Sequence, residues 1–120
     1  MGYRVVLVGT DGSAPADAAV HQAARVALAF GALLVVAGSD TTQVRAGVDT
    51  ARSIGVTDIA SRTLTGEPSE ALRAAAEDDG AELLVVGARG ETDRPRTLGR
   101  VANEVSHHAP CDLLIVVPTI

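Results

Sequence analysis

The sequence contains no lysine and no tryptophan, and it has one cysteine, one tyrosine and one phenylalanine in 120 residues. The lack of lysine excludes a Walker-type phosphate loop and Schiff-base chemistry, because both use a lysine side chain. With Cys111 alone, neither an intramolecular disulfide nor a four-cysteine zinc site can form. A net charge of -5 and the scarcity of aromatic rings argue against nucleic-acid binding, which favours a basic surface and stacking side chains.

Long apolar runs are also missing. A run such as Ala32–Ala37 is far shorter than the roughly 20 apolar residues of a membrane-spanning helix. The first residues do not follow a signal-peptide pattern. We therefore expect one domain over residues 1–120, located in the cytoplasm, without a membrane or nucleic-acid partner.

Segments rich in Val, Ile and Leu alternate along the chain with segments rich in Ala and charged residues. Continuous apolar runs are typical of parallel strands that are covered on both faces. The third of these segments is more polar and is predicted to lie at a sheet edge. The predicted strands are Arg4–Gly9, Leu33–Gly38, Asp58–Leu64, Glu82–Gly87 and Asp112–Val117.

Capping residues, prolines and glycines place a helix between each pair of strands. The regular alternation predicts an α/β fold with an open, doubly wound parallel sheet and helices on both faces. The predicted helices are Ala14–Phe30, Thr42–Ile54, one that opens at Glu67-Pro68 and ends at Gly80, and Thr97–His107.

Two strand ends carry unusual turn residues. Ligands of open parallel sheets bind beyond the carboxyl ends of the strands, where the strand order reverses. After the first strand, Asp11 can offer a carboxylate to a base or a ribose, although the same segment is also an ordinary turn capped by Ser13. After the fourth strand, the glycines of Gly87–Gly90 and the helix start at Gly99 can cradle a phosphate with backbone amides.

Three segments, Val5–Ser13, Gly80–Gly90 and His107–Val117, resemble the universal stress protein family. The resemblance spans nearly the whole chain and implies a five-stranded adenine nucleotide alpha hydrolase-like fold with strand order 3-2-1-4-5. Family members commonly pair through the last strand, and one branch binds ATP. The resemblance therefore implies a stress-response or regulatory module that binds ATP or another adenine nucleotide, with Mg²⁺ only beside bound phosphates. It also implies a homodimer through Leu113–Val117.

By position, the resemblance assigns the residues of the site. Asp11, beside Thr10, would contact adenine or ribose. Gly38 and Val86 would line the base pocket. The residues around ribose and phosphates would be Gly87, Gly90, Gly99, Arg100 and Val101, with Arg89 as an extra phosphate partner. Further arginines in the loop are either extra phosphate partners or part of an exposed loop paired with acidic residues; these are Arg94 and Arg96, with Glu91 and Asp93.

The glycine motif departs from that of the ATP-binding branch. Eight residues separate Gly90 from Gly99, where the family pattern has nine, and Arg100 replaces the usual small hydroxyl residue. The segment after the second strand is also shorter than in the family. Arg100 would either contact a phosphate or fill the phosphate pocket itself, and the latter defines an alternative, a nucleotide-free dimeric interaction protein.

An enzymatic role is a third hypothesis, limited to slow ATP hydrolysis, because no general base or metal-binding carboxylate is evident beyond Asp11. His107 and His108 are adjacent on a helix and so point about 100° apart, which is unsuited to a shared metal ion. Cys111 is expected to be a small core residue, and Ser13 a helix cap rather than a nucleophile.

Overall fold

The computed structural model describes residues 2–90, 93–94 and 97–118. Strands and helices alternate through these ranges, as the sequence predicts. The elements are β1 (Val5–Gly9), α1 (Ala14–Phe30), β2 (Leu33–Gly38), α2 (Thr41–Ile54), β3 (Ile59–Thr63), α3 (Pro68–Asp78), β4 (Leu83–Gly87), α4 (Arg100–His108) and β5 (Asp112–Val116).

The strands form one parallel sheet with the order β3-β2-β1-β4-β5, which confirms the predicted fold and strand order. β1 pairs with β2 along its whole length, from Val5 to Gly9. It pairs with β4 only through Val6–Val8. β1 and β4 therefore separate towards their carboxyl ends, at the point where the strand order reverses.

Both faces of the central strands are buried. Along β1, Val6 and Val8 face a core made with α1 and α2, and Leu7 faces a second core made with α3 and α4. β3 has exposed and half-buried side chains only, as predicted for an edge strand. α1 packs closely on the sheet through small side chains; those fully or nearly fully buried are Ala16, Ala19, Ala23, Ala24 and Ala27.

The boundaries of α4 and β5 differ from the prediction. α4 begins at Arg100 and not at Thr97, because Gly99 has an extended conformation, with φ −67° and ψ 164°. The Gly99 amide donates to the Ala88 carbonyl at 2.6 Å, so it is tied to the end of β4 and not to a helix turn. β5 ends at Val116, which leaves Val117 outside the strand with 65% of its surface exposed.

In the parts of the chain that the structure describes, every helix is too short or too polar to cross a membrane.

Candidate functional site

A cavity of about 180 Å³ lies at the carboxyl ends of β1, β2 and β4. Three hydrogen bonds continue the pairing of neighbouring strands by one residue past the strand ends. The Thr10 amide donates to the Ala37 carbonyl at 2.8 Å, and the Ala88 amide donates to the Val116 carbonyl at 2.8 Å. The Leu64 amide likewise donates to the Gly38 carbonyl at 2.7 Å. Among the described residues, no such hydrogen bond joins the chain after β1 to the chain after β4, and the sheet opens there into a crevice.

The wall of the crevice is mainly aliphatic. Val86 is the second-to-last residue of β4, Ala37 lies on β2, and Leu72 lies on α3. All three are buried in the core. Leu64, directly after β3, is half-buried on the same wall. Such a surface suits a flat, weakly polar group such as a base, which can exchange water contacts for aliphatic contacts.

The connection between β1 and α1 places Asp11 at the rim of the crevice. Its Oδ1 accepts a hydrogen bond from the Ser13 amide at 3.0 Å, and the Thr10 hydroxyl accepts one from the Gly12 amide at 3.2 Å. The Ser13 hydroxyl caps α1 by accepting from the Ala16 amide at 3.2 Å. Gly12 has a φ of +77°, which favours glycine. The segment is thus a capped turn that also carries a carboxylate to the crevice.

Gly87 ends β4 against the first turn of α1. A Cβ atom at this position would lie 2.9 Å from the carbonyl carbon and oxygen of Pro15. Those atoms belong to the backbone and cannot move aside as a flexible side chain can. Glycine is therefore required here for β4 and α1 to approach each other beside the crevice.

Two carboxylates approach Gly90. Its amide donates to Asp93 Oδ2 at 2.7 Å. A Cβ on Gly90 would lie 2.8 Å from Asp11 Oδ2 and 3.4 Å from Asp93 Oδ2, so both acidic side chains closely approach this residue. The negative charge at this end of the crevice is therefore concentrated around a glycine that the sequence suggested as a phosphate ligand.

Gly99 packs on the backbone that follows β4. A Cβ there would lie 2.6 Å from the Arg89 Cα, and it would also collide with the Asp93 carboxylate. Gly99 is buried and does not line the cavity. Its position is explained by close backbone packing together with the hydrogen bond to Ala88.

The structure brings most of the predicted site residues to one cavity. Those that line it are Thr10, Asp11, Gly38, Val86, Gly87, Arg89, Gly90 and Val101. Gly99 and Arg100 do not line it. Arg94 is exposed, whereas Arg96 and Glu91 lie outside the described residues.

Arg100 does not fill the crevice, contrary to the alternative drawn from the sequence. Its Nε lies 3.1 Å from Glu104 Oε1, one helical turn further along α4, and the side chain is 74% exposed. The hydrogen bond to Glu104 raises the pKa of Arg100 above its ordinary value. The guanidinium is therefore held on the outer surface of α4 by an i, i+4 pair.

Several lining residues were missed in the sequence. Leu64 and Gly66 follow β3, and Leu72 was interpreted only as part of a buried helix face. The strand-end rule could have found the first two, because β3 ends at the same edge of the sheet as β1. In the part of the chain that the structure describes, the missed lining residues are Gly9, Ala16, Ala37, Ser39, Leu64, Gly66, Pro68, Leu72 and Ala102.

Other candidate groups lie away from the crevice. Over residues 2–90, 93–94 and 97–118, no three His, Cys, Asp or Glu side chains are grouped so that they could hold a metal ion. His107 and His108 are exposed at the end of α4, with ring centroids 6.4 Å apart. Cys111 is half-buried and not fully buried in the core, and desolvation raises the pKa of its thiol.

Together, the doubly wound sheet and the crevice at its switch point define an open α/β protein with a site for a small ligand. The sequence profile described as "Universal stress protein family" matches residues 2–54 and 38–117. The chain therefore belongs to the universal stress protein family.

Individual relatives agree with this assignment. Universal stress protein Rv1636 of Mycobacterium tuberculosis strain H37Rv is 32% identical, over 98% of this chain and 98% of the relative. The crystal structure of a universal stress protein in complex with cAMP is 37% identical, with a TM-score of 0.86, over 97% of this chain and 98% of that one. UspA from Lactobacillus plantarum is 20% identical, with a TM-score of 0.79 over 97% of this chain and 99% of that one, and it shares the fold.

The chain is shorter than its relative in one region. Its alignment with Rv1636 extends over 143 positions, more than the 120 residues of this chain. The two matches to the family profile overlap at residues 38–54, which indicates that this chain is shorter than the family pattern around α2. Here Ser39 and Asp40 alone connect β2 to α2. One side of the crevice is therefore bounded by a very short connection.

Proposed function

We propose that this protein binds an adenine nucleotide in the crevice between β1 and β4, as a regulatory module of the stress response. The observation that carries the proposal is the convergence of residues from both strand ends on one cavity. Thr10 and Asp11 reach it from β1, and Gly87, Arg89 and Gly90 reach it from β4. The complex of a 37% identical universal stress protein with cAMP supports the same class of ligand.

The adenine ring would lie on the aliphatic wall. Val86, Leu72 and Leu64 offer apolar surface there, and burying it against the base supplies the non-directional part of the affinity. Asp11 would give direction to the contact, by accepting a hydrogen bond from a ribose hydroxyl or from the adenine amino group. A hydrogen bond to a charged group is worth about 1.5–3 kcal/mol.

The phosphate end would depend on Arg89 and on the start of α4. Arg89 lines the cavity directly after β4, and Val101 lies in the first turn of α4. The first amides of a helix lack intrahelical partners and attract negative charge. We infer a binding role and not a fast enzymatic one, because the sequence offers no candidate general base beyond Asp11.

Calorimetric titration with cAMP, AMP and ATP tests the proposal. At least one of them should bind at micromolar to millimolar concentration. Asp11→Asn should weaken that binding about tenfold, because it removes the charge of the acceptor while keeping an oxygen for the Ser13 amide. Asp49→Asn, a matched substitution on the exposed surface of α2, should have no effect. The absence of binding for all three nucleotides at millimolar concentration would refute the proposal.

We also propose that two copies pair through β5. This strand is bonded to β4 on one side, and its Leu113, Leu114 and Ile115 side chains are half-buried in the single chain. An apolar edge strand favours cover by another chain. Light scattering after size exclusion should give twice the mass of the chain at micromolar concentration, and Ile115→Arg should shift it to the single mass. A monomer of the native sequence would contradict the pairing.

A further inference from the structure

The carboxylate of Asp93 lies beside Gly90, one of the residues that line the crevice. Its Oδ2 accepts the hydrogen bond of the Gly90 amide at 2.7 Å. The same oxygen is the atom that a Cβ on Gly99 would strike. Asp93 is therefore bonded to Gly90 and also packs against Gly99, the last two glycines of the motif after β4. A carboxylate and a phosphate offer the same kind of anionic oxygen to such amides.

The other amide of the motif is also engaged. Gly99 donates to the Ala88 carbonyl at 2.6 Å. A phosphate entering this region would thus compete with Asp93 for the Gly90 amide and find the Gly99 amide already bonded. An incoming anion gains little from donors that already hold an acceptor of comparable strength.

The charges around Gly90 act in the same direction. The Asp93 carboxylate places a negative charge beside Gly90, which lines the crevice, so a polyphosphate reaching Gly90 would meet that charge. Arg100, which follows Gly99, is bound to Glu104 and does not line the crevice. Among the described residues, Arg89 is the arginine that lines it. Repulsion between a phosphate and a nearby carboxylate is strongest where water is partly excluded, because the effective dielectric constant is low there.

We propose that Asp93 is a specificity-determining residue that selects adenine nucleotides by the charge of their phosphate. It admits a cyclic phosphodiester, which carries a single negative charge, and disfavours a triphosphate, which carries several. The inference rests on the proposed nucleotide binding and adds to it the class of nucleotide. Asp93 acts as an internal competitor at the Gly90 amide and as a repulsive charge.

The test compares ATP and cAMP on the native protein and on Asp93→Asn. Asparagine retains an oxygen that can accept from the Gly90 amide, so the local turn is preserved while the charge is removed. ATP should bind to the variant at least about tenfold more tightly than to the native protein, a gain of about 1.4 kcal/mol in binding free energy. Binding of cAMP should change by less than about threefold. Asp49→Asn on α2 removes the same charge far from the crevice and should alter neither affinity.

Three outcomes separate the inference from the function on which it rests. A selective gain for ATP in Asp93→Asn supports the inference. Equal ATP affinity in the native protein and the variant, with cAMP bound to both, overturns the role of Asp93 and leaves nucleotide binding intact. If neither nucleotide binds to either protein, although circular dichroism shows both to be folded, the proposed function fails and the inference falls with it.

Discussion

The two connections that face the crevice differ in the acceptors that their backbone amides use. Between β1 and α1, Thr10, Asp11 and Ser13 accept hydrogen bonds from amides two or three residues further along the chain. Between β4 and α4, the Gly99 amide reaches back to the Ala88 carbonyl, eleven positions away in the sequence. The first connection is closed mainly by local side chains. The second combines one local side chain, Asp93 at the Gly90 amide, with a backbone contact across a long loop.

The glycines of the two connections also differ, in the reason why glycine is needed. Gly12 has a positive φ, and its conformation favours glycine at that turn. Gly87 and Gly99 have ordinary backbone conformations, but a Cβ on either would strike neighbouring backbone atoms. The first connection thus requires glycine for its conformation and the second requires it for close packing. The two requirements make different predictions for substitution.

Gly87→Val should have the largest effect on stability. The added side chain would begin 2.9 Å from the Pro15 carbonyl, so β4 or the start of α1 must move. Overpacking a close contact costs about 1–3 kcal/mol, and we expect about 3 kcal/mol here because the contact is with backbone. Urea denaturation measures the change. Ala60→Val on the exposed edge strand β3 is the control and should change stability by less than about 0.5 kcal/mol.

Gly99→Ser should give the next largest loss and would separate packing from capping. Serine is a better helix cap than glycine by a few tenths of a kcal/mol, so capping alone predicts a gain. Packing predicts a loss of about 1–2 kcal/mol, because the Cβ would lie 2.6 Å from the Arg89 Cα. A variant more stable than the native protein in urea would show that the second connection adapts as easily as the first.

The sequence was sufficient to predict the fold because its signals were local. Apolar runs such as those of β1 and β4 identify strands buried on both faces, and Ser13 and Gly31 correctly bound α1. The family resemblance then implied the strand order. Prediction of Asp11 at the crevice also needed only its position after a strand end.

The rest of the site depended on contacts between distant residues. Arg100 follows the glycine motif directly, but its guanidinium is held by Glu104 on the outside of α4, and the sequence alone does not indicate which way it turns. The Gly99 amide is bonded to Ala88 only because the loop brings the two together. Leu64 and Leu72 form one wall only once β3 and α3 are placed at the same edge.

Ser13→Ala tests the side-chain cap in the first connection. Ser13 is buried, and its hydroxyl caps α1 at the Ala16 amide. Loss of such a cap costs about 1 kcal/mol, which should appear as a lower urea midpoint. Ser53→Ala, on the exposed surface of α2, removes a hydroxyl that bonds to the Thr50 carbonyl and should leave stability unchanged or slightly raised. Equal losses in both variants would argue against a special role for the cap.

The smallest expected effect is on the pH dependence of stability. It arises at a hydrogen-bonded bridge between α3 and α4, the helix that follows the second connection. The buried Ser69 hydroxyl on α3 lies 2.6 Å from Glu67 Oε2 and 2.7 Å from Glu104 Oε2. The single hydroxyl proton is shared between the two carboxylates, and this contact lowers the pKa of both below their ordinary value of 4.5. The Glu70 amide adds to the shift at Glu67, and Arg100 adds to it at Glu104. Because the unfolded chain then binds protons more readily, the bridge stabilises the fold above about pH 4.5 and loses that contribution as the pH falls through the lowered pKa values.

Ser69→Ala should therefore raise the pKa of Glu67 and Glu104 towards their ordinary value, and make stability less dependent on pH below 4.5. Carboxyl chemical shifts followed by NMR report the first change, and urea midpoints at pH 7 and at lower pH report the second. Ser106→Ala is the control, because that hydroxyl bonds to the Asn103 carbonyl and not to a carboxylate. If both carboxyls kept their low pKa in Ser69→Ala, the Glu70 amide at Glu67 and Arg100 at Glu104 would account for the lowered values, without the hydroxyl that joins α3 to α4.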